Sequence, residues 1–346
     1  MPDRIEILEA NLRNIAIFHE EPGEQIIEEV KGHVRATAMP WTWRGHSHTR
    51  PPDEAFVVYI EEFDVPAKDT VPRVAPCPCC TPHHPKYKNK GKIAWFPNES
   101  VIRLIGPKCF ASINAGGHEA AIIDLRKRQK RRSELATVAL HGAKLEELVA
   151  AIDAAIPIAD HLDAFMRDLA GAADQERLNF WRELREGTLT ITERRRSLVR
   201  KADGRLSERD EEFRSTFASI LGHSIFDRSQ HGSAGKLRPL RSGLALLVNR
   251  VSEADQLGEA DLEKVAEALP KARTSALDIF SGLSDRQRFL TSNAIEILAH
   301  WGQHPSSPLR FAISRKRSEV TLVGHKPHVI YIGLDATSPI PPIPEL

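Results

Sequence analysis

LEELVAAIDAAIPIADHLDAFMRDL, residues 145–169, gives the strongest indication of the fold class. Apolar side chains recur through it in alternating steps of three and four, a spacing typical of a helix that buries one stripe or forms a coiled-coil seam. Pro157 should kink this helix, because proline lacks the backbone N–H that a helix uses. The seam consists of Leu145, Leu148, Ile152, Ala155, Ala159, Leu162, Met166 and Leu169. It predicts a helical bundle or a self-associating coiled coil.

Helical periodicity continues toward the C-terminus, and a further amphipathic helix is predicted at residues 5–17. The glycine, serine and basic residues concentrated in 222–241 predict a mobile loop between two helical parts. The remaining predicted helices cover residues 174–200, 207–222, 242–255, 259–269 and 284–302.

Period-two patterns predict β-structure near both ends of the chain. Residues 55–60, AFVVYI, predict one strand, after an irregular loop at 39–52 that contains prolines and tryptophans. Apolar residues at alternate positions in 309–334 predict a terminal β-hairpin or a three-stranded meander. The proline-rich tail at 339–344 is expected to be extended polyproline II.

The composition is that of a globular protein without an overall excess of charge. Its formal net charge is +1, and 41% of its residues are hydrophobic. Charge is nevertheless segregated, since residues 1–75 hold 14 acidic and 8 basic side chains, whereas residues 76–132 hold 12 basic and 3 acidic ones. The sequence contains no apolar run of about 18 residues and no secretory signal, so a cytoplasmic protein without a membrane partner is expected.

The four cysteines all fall between positions 77 and 109, which favours a metal site over a disulfide framework. Cys77 and Cys80 form a C-x2-C pair, a spacing that lets two thiolates bind one ion. Residues 91–96 and 101–105 predict the two arms of a hairpin, and Cys109 follows where a helix could begin. The sequence therefore predicts one zinc ion held by these three thiolates and a fourth ligand.

This order of knuckle, hairpin, cysteine and helix resembles the treble-clef class of zinc fingers, over residues 77–118 only. The resemblance implies that the last two ligands come from the start of the helix after the hairpin, which favours His118 as the fourth ligand. Cys109 and His118 are nine residues apart, wider than the usual spacing in that class. Cys79, His83 and His84 therefore remain alternative fourth ligands.

A closed set of three thiolates and one further ligand is typical of structural rather than catalytic zinc. A redox-active C-x2-C pair is disfavoured, because Thr81-Pro-His-His-Pro85 cannot begin the helix that such a motif needs. His46 and His48, near Trp43, are interpreted as ordinary loop histidines. The sequence lacks P-loop, dinucleotide-binding and metalloprotease motifs, so no catalytic residue is predicted.

Residues 126–132 form the most basic run in the chain and continue the predicted finger helix. Such a density of cations predicts contact with phosphate groups. An acidic protein partner, including the chain's own residues 1–75, is the alternative. The predicted nucleic-acid-binding residues are Arg126, Lys127, Arg128, Lys130, Arg131 and Arg132.

The sequence as a whole predicts a mainly α protein with small β elements: a zinc-finger module, a helical or coiled-coil bundle and a C-terminal β-hairpin. The predicted function is non-enzymatic, with zinc as cofactor and DNA or RNA contacted through the basic helix. The alternatives are a zinc-braced protein–protein interaction scaffold, with a protein partner or a second copy, and a metal-dependent nuclease. The predicted segments are an acidic α+β segment at 1–75, the zinc-binding module at 76–125, a helical domain at 126–305 and the β-hairpin with its tail at 306–346.

Overall fold

A computed structural model describes residues 15–66, 77–79, 89–184, 186–200, 205–230 and 232–345. The chain divides into two compact units, residues 1–133 and 134–346. Its described residues are mainly α-helical and form three small antiparallel sheets. Among the described helices, none is both long and apolar enough to cross a membrane. The predicted helix at 5–17 lies almost entirely outside the described residues, and its last three residues, 15–17, are not helical.

The first unit contains a three-stranded antiparallel sheet that positions the predicted metal ligands. The predicted hairpin arms are confirmed, and the strand predicted at 55–60 begins instead at Val58. Neighbouring strands pair in chain order: a short hairpin joins the last two strands, whereas residues 65–89 separate the first two. The strands are β1 (Val58–Asp64), β2 (Lys90–Phe96) and β3 (Val101–Ile105).

A helix packs on each face of this sheet. Helix α1 (Glu24–Thr37), which was not predicted, buries Val30 against one face in a cluster that includes Trp43. Helix α2 (Ala115–Gly142) is the predicted finger helix, and it buries Leu125 in the cluster on the other face. The thiols belong to this second cluster, so α2 and the cysteines share one side of the sheet.

The second unit is built on helix α3 (Leu145–Gln175), whose predicted apolar seam is confirmed as core. The seam residues are all buried and pack against two long helices of the same unit, α5 (Ser233–Ser252) and α6 (Glu259–Thr291). Pro157 lies inside α3 without ending it. The unit also contains the helices α4 (Phe180–Glu183) and α7 (Ala294–Gln303).

A long β-hairpin replaces the helices predicted at 174–200 and 207–222, so these predictions are wrong over most of their length. At its base, threonines alternate with the buried Leu189 and Ile191, a period of two that fits a strand. Farther along, Arg194 pairs across the strands with Glu212 at 3.1 Å, as charges facing each other in a ladder do. The strands are β4 (Thr188–Arg200) and β5 (Leu206–Ser219).

The C-terminal part forms the predicted three-stranded meander, with strands β6 (Ala312–Lys316), β7 (Glu319–Val323) and β8 (Pro327–Tyr331). The proline-rich tail that follows packs Ile340 and Ile343 against the core of the second unit. The prediction of a mobile loop at 222–241 is wrong for its second half, because helix α5 begins at Ser233.

Candidate metal centre and basic helix

Three cysteines share the apolar cluster behind the sheet. Cys77 and Cys79 occupy a turn and are buried, whereas Cys109 is half-buried in the 3-10 helix that follows β3. The Cys109 N–H donates to the Gly106 carbonyl at 3.2 Å, which closes the turn that carries this thiol. The predicted ligand Cys80 and the alternatives His83 and His84 lie outside the described residues.

The environment of Cys77 favours the thiolate form that a metal requires. Hydrogen bonds from the thiols of Cys109 and Cys79 lower the pKa of Cys77 to about 2, helped by the backbone N–H groups of Gly106 and Cys79 and opposed by burial. Within the described part of the chain, no group of three or more histidine, cysteine or acidic side chains is arranged to hold a metal ion. The zinc site therefore stays a prediction.

His118 lies in the first turn of α2 and is almost fully buried. Asn114 opens this helix, because its side-chain oxygen accepts a backbone N–H of the first turn at 2.9 Å. The Nδ1 atom of His118 is 2.6 Å from the Tyr59 hydroxyl. Burial, and then the charges of Cys79 and Cys109, raise the pKa of Tyr59, so this hydroxyl lies close to both the imidazole and the thiols. Nε2 is the His118 nitrogen that remains for a metal.

The basic run divides between two faces of α2, and its inner face is anchored to the sheet. Arg128 continues the buried stripe of Leu125, and its guanidinium donates to the Tyr59 carbonyl at 2.5 Å. The same guanidinium lies 2.9 Å from the Glu21 carboxylate and 2.8 Å from that of Asp124. Arg128 is therefore neutralised by acidic residues of its own unit.

Arg132 lies one helical turn beyond Arg128 on this inner face. Its guanidinium is 2.7 Å from one carboxylate oxygen of Glu61, and the Gln129 amide donates to the other oxygen at 2.7 Å. Glu61 belongs to β1, so these bonds join the helix to the sheet. The inner arginines are thus used in holding the first unit together.

The outer face of α2 carries the rest of the run. Exposure does not follow the two faces strictly, because the Arg132 side chain is itself 59% exposed while it pairs with Glu61. Arg126, Lys127 and Lys130 are exposed, and Arg131 is half-buried. Helical spacing places residues 126 and 130 nearly opposite Arg128. Sequence reasoning did not separate these two sets, because the anchoring groups include the Tyr59 carbonyl and the Glu61 carboxylate, which lie about 70 residues away in the chain.

His46 is a candidate that sequence reasoning missed. The loop that carries it adds to the free edge of β3, with a parallel bridge between His46 and Ile102. The imidazole is completely buried, unlike that of an ordinary loop histidine. The only sequence signal was the H-x-H spacing shared with His48.

Comparison of the chain with family models, with curated proteins and with solved structures gave no match. Its function must therefore be argued from its own residues.

Proposed function

We propose that this chain is a non-enzymatic zinc-binding protein that contacts nucleic acid through the outer face of α2. The observation that carries the proposal is the exposure of Arg126, Lys127 and Lys130 on a helix whose inner side is anchored to a sheet. Cations on a rigid helix are well placed to bind the regularly spaced phosphates of a nucleic acid. About three contacts give weak binding that does not depend on sequence.

The zinc ion in this proposal has a structural role and is bound by Cys77, Cys80, Cys109 and His118. The lowered pKa of Cys77 and the burial of its thiol beside Cys79 support this role. A closed set of four protein ligands leaves no position for a substrate. The ion would tie the turn before β2 to the start of α2, and so would fix the direction of the outer face.

A zinc-braced protein–protein interaction scaffold is the second candidate. It is favoured by Arg128 and Arg132, which already bind the acidic residues Glu21, Asp124 and Glu61. In this second candidate function, Arg131 and the outer cations bind carboxylates on the surface of a partner protein rather than phosphates. A direct comparison of nucleic acid with an acidic polypeptide separates the two candidates.

Metal analysis tests the zinc proposal. Purified protein should contain about one zinc ion per chain, and Cys109→Ser should lose both the metal and the local fold, because binding energy at such sites is folding energy. His118→Ala and His84→Ala, compared side by side, identify the histidine ligand. Freshly prepared protein without zinc, made in the absence of chelators, would contradict the proposal.

Salt dependence tests the nucleic-acid proposal. Duplex DNA binding should weaken with salt by a log–log slope of roughly −0.9 per phosphate neutralised, so Arg126→Ala, Lys127→Ala and Lys130→Ala together should flatten the slope by about 2.7. Zinc content and folding should stay unchanged, since these side chains are exposed.

The inner arginines provide the matched control. Arg128→Ala with Arg132→Ala removes two positive charges, against three in the outer variant. It should change the slope by much less than the roughly 1.8 expected for two phosphate contacts while lowering the free energy of unfolding, because both guanidiniums are paired with carboxylates of their own unit. Equal slopes for the outer triple variant and wild type would reject the outer face as the binding surface. If wild-type protein binds neither duplex nor single-stranded nucleic acid at low salt, where charge interactions are strongest, the scaffold replaces this proposal.

A further inference from the structure

The second unit contains a cavity of about 450 Å³ where the end of α3 meets α4 and the segment that follows β5. This volume lies within the range of small-molecule sites, which is about 300–1,000 Å³. Aromatic side chains line it: the rings of Phe180 and Phe226 are buried with their centroids 4.9 Å apart, and Trp181 is 39% exposed. The cavity therefore offers flat apolar surface that is reached from solvent.

Arg177 brings a positive charge to this cavity from the end of α3. Its backbone adopts the left-handed conformation, with φ +56°. Its N–H donates to the Asp174 carbonyl at 3.0 Å, and the next N–H, of Leu178, donates to the Ala173 carbonyl at 2.8 Å. These two bonds form a Schellman motif, in which the left-handed residue is usually glycine because a side chain is strained there. The helix end itself favours glycine, so the arginine side chain is expected to have another role.

The Arg177 guanidinium has no partner within the described part of the chain. It makes no hydrogen bond, ion pair or ring contact there. The other arginine that lines the cavity, Arg228, is instead paired with the Asp174 carboxylate. Of the described cavity residues, Arg177 is the cation that remains available to a ligand.

The acidic residues of the cavity limit the charge of that ligand. Asp174 is neutralised by Arg228, but Asp227 accepts only the backbone N–H and the hydroxyl of Ser229, at 2.9 Å and 2.7 Å, and forms no ion pair among the described residues. One available cation beside one carboxylate disfavours a phosphate with two negative charges and suits a single negative charge. A guanidinium binds a carboxylate through two parallel hydrogen bonds, which matches this requirement.

We propose that this cavity binds a small aromatic carboxylate, with its carboxylate group on the Arg177 guanidinium and its ring against Trp181. The inference goes beyond the proposed function, because it concerns the second unit and depends on neither zinc nor nucleic acid. Aromatic walls with one well-placed charged group are typical of small-molecule sites. The strain at Arg177 is then a loss of stability that presents the guanidinium to the ligand.

Isothermal titration calorimetry of the whole chain with phenylacetate and with indole-3-acetate tests the site. We expect at least one of these probes to bind at one site per chain. The matched amides, phenylacetamide and indole-3-acetamide, keep the ring and lose the charge. They should bind about 10- to 100-fold more weakly, which is the contribution of a hydrogen bond to a charged group. Phenyl phosphate, which carries nearly two negative charges at pH 7.5, should bind more weakly than phenylacetate.

Arg177→Gly separates ligand binding from stability. Glycine removes both the strain and the guanidinium, so the variant should unfold at a temperature about 2–4 °C higher and bind the carboxylate about 10- to 100-fold more weakly. Trp181→Ala should weaken binding about 3- to 10-fold through loss of the ring contact. Arg182→Ala is the matched control, because this neighbouring side chain is 81% exposed and does not line the cavity; its affinity should equal that of wild type.

Each result supports or overturns the proposal. If neither carboxylate binds at millimolar concentration, the cavity is not such a site. Equal affinity for the acids and their amides would also overturn the proposal, because the charge would then not be recognised. An Arg177→Gly variant that binds as tightly as wild type, or that unfolds at a lower temperature, would remove the role assigned to the guanidinium. Tighter binding of phenyl phosphate than of phenylacetate would overturn the choice of a carboxylate.

Discussion

Glu61→Ala should loosen the first unit, because this one carboxylate joins β1 to α2. Its side chain is only 10% exposed and accepts hydrogen bonds from Gln129 and Arg132, each at 2.7 Å. Lys31 lies farther away, at 3.9 Å. Substitution by alanine removes all of these contacts and leaves no acceptor in their place.

The expected loss of unfolding free energy follows from the exposure of each partner. A hydrogen bond to a charged group contributes about 1.5–3 kcal/mol, and the Gln129 bond is half-buried. The Arg132 side chain is 59% exposed and can be solvated by water, so its ion pair contributes only about 0–1 kcal/mol. Together these give a loss of about 2–3 kcal/mol, against less than about 0.5 kcal/mol for the exposed control Glu28→Ala.

The stabilisation that Glu61 provides should depend on pH. Burial alone would raise the pKa of Glu61, but hydrogen bonds from the Glu62 N–H, Gln129 and Arg132, with the Lys31 charge, outweigh it and lower the pKa. A lowered folded-state pKa means that the stabilisation is fully present above the unfolded value of about 4.3 and is lost as pH falls through the folded value. The difference between wild type and Glu61→Ala should therefore shrink in acid.

Urea unfolding at pH 7 and again near pH 3 measures both quantities, and DNA binding adds a third. The substitution frees Arg132, which should steepen the salt slope by up to about 0.9 if that side chain then reaches a phosphate. If Glu61→Ala lowers the free energy of unfolding at pH 7 no more than Glu28→Ala does, the basic run is not divided into an anchored and an outer face.

The fold itself allows two sharper tests, each with its own control and each measured by urea or thermal unfolding. Gly222→Ala should lower the free energy of unfolding by about 2–5 kcal/mol, because the glycine has φ +72° and a Cβ would lie 2.3 Å from the backbone nitrogen of Phe289. Gly235→Ala, in open space within α5, should instead stabilise by about 0.5–1 kcal/mol, and equal effects would contradict the packing around Gly222. Leu162→Ala, in the fully buried seam, should lower the free energy of unfolding by about 3–5 kcal/mol. Leu246→Ala, at a side chain that is 76% exposed, should change it by less than about 0.5 kcal/mol. If Leu162→Ala is as stable as wild type, the seam is not core.

The hairpin at β4 and β5 shows why sequence reasoning failed where it did. Charged residues in 193–212 suit the exposed face of a helix as well as a ribbon, because both bring opposite charges together. The Thr188-Leu-Thr-Ile-Thr192 alternation and the Asp203-Gly204 pair were the local signals for a hairpin. They were outweighed by the helical patterns on either side.

Features that depend on neighbours close in the chain could be read from the sequence. The seam of α3, the hairpin of β2 and β3 and the clustering of the cysteines were all readable, because helical and strand periods and ligand spacings extend over only a few residues. The proposed ligands Cys77, Cys80 and Cys109 follow from such spacing alone. Contact with nucleic acid was predicted in the same way, from a local density of charge.

Which charged and titratable groups are anchored and which are exposed depends on contacts between segments far apart in the chain. Arg128 and Arg132 are anchored by carboxylates far away in the chain, while Arg126 and Lys127 remain exposed on the same helix. The His46 imidazole is likewise held by a backbone N–H that lies 58 residues away in sequence. Burial and hydrogen bonding between distant segments fix the state of a side chain, and no local pattern encodes which segments will meet.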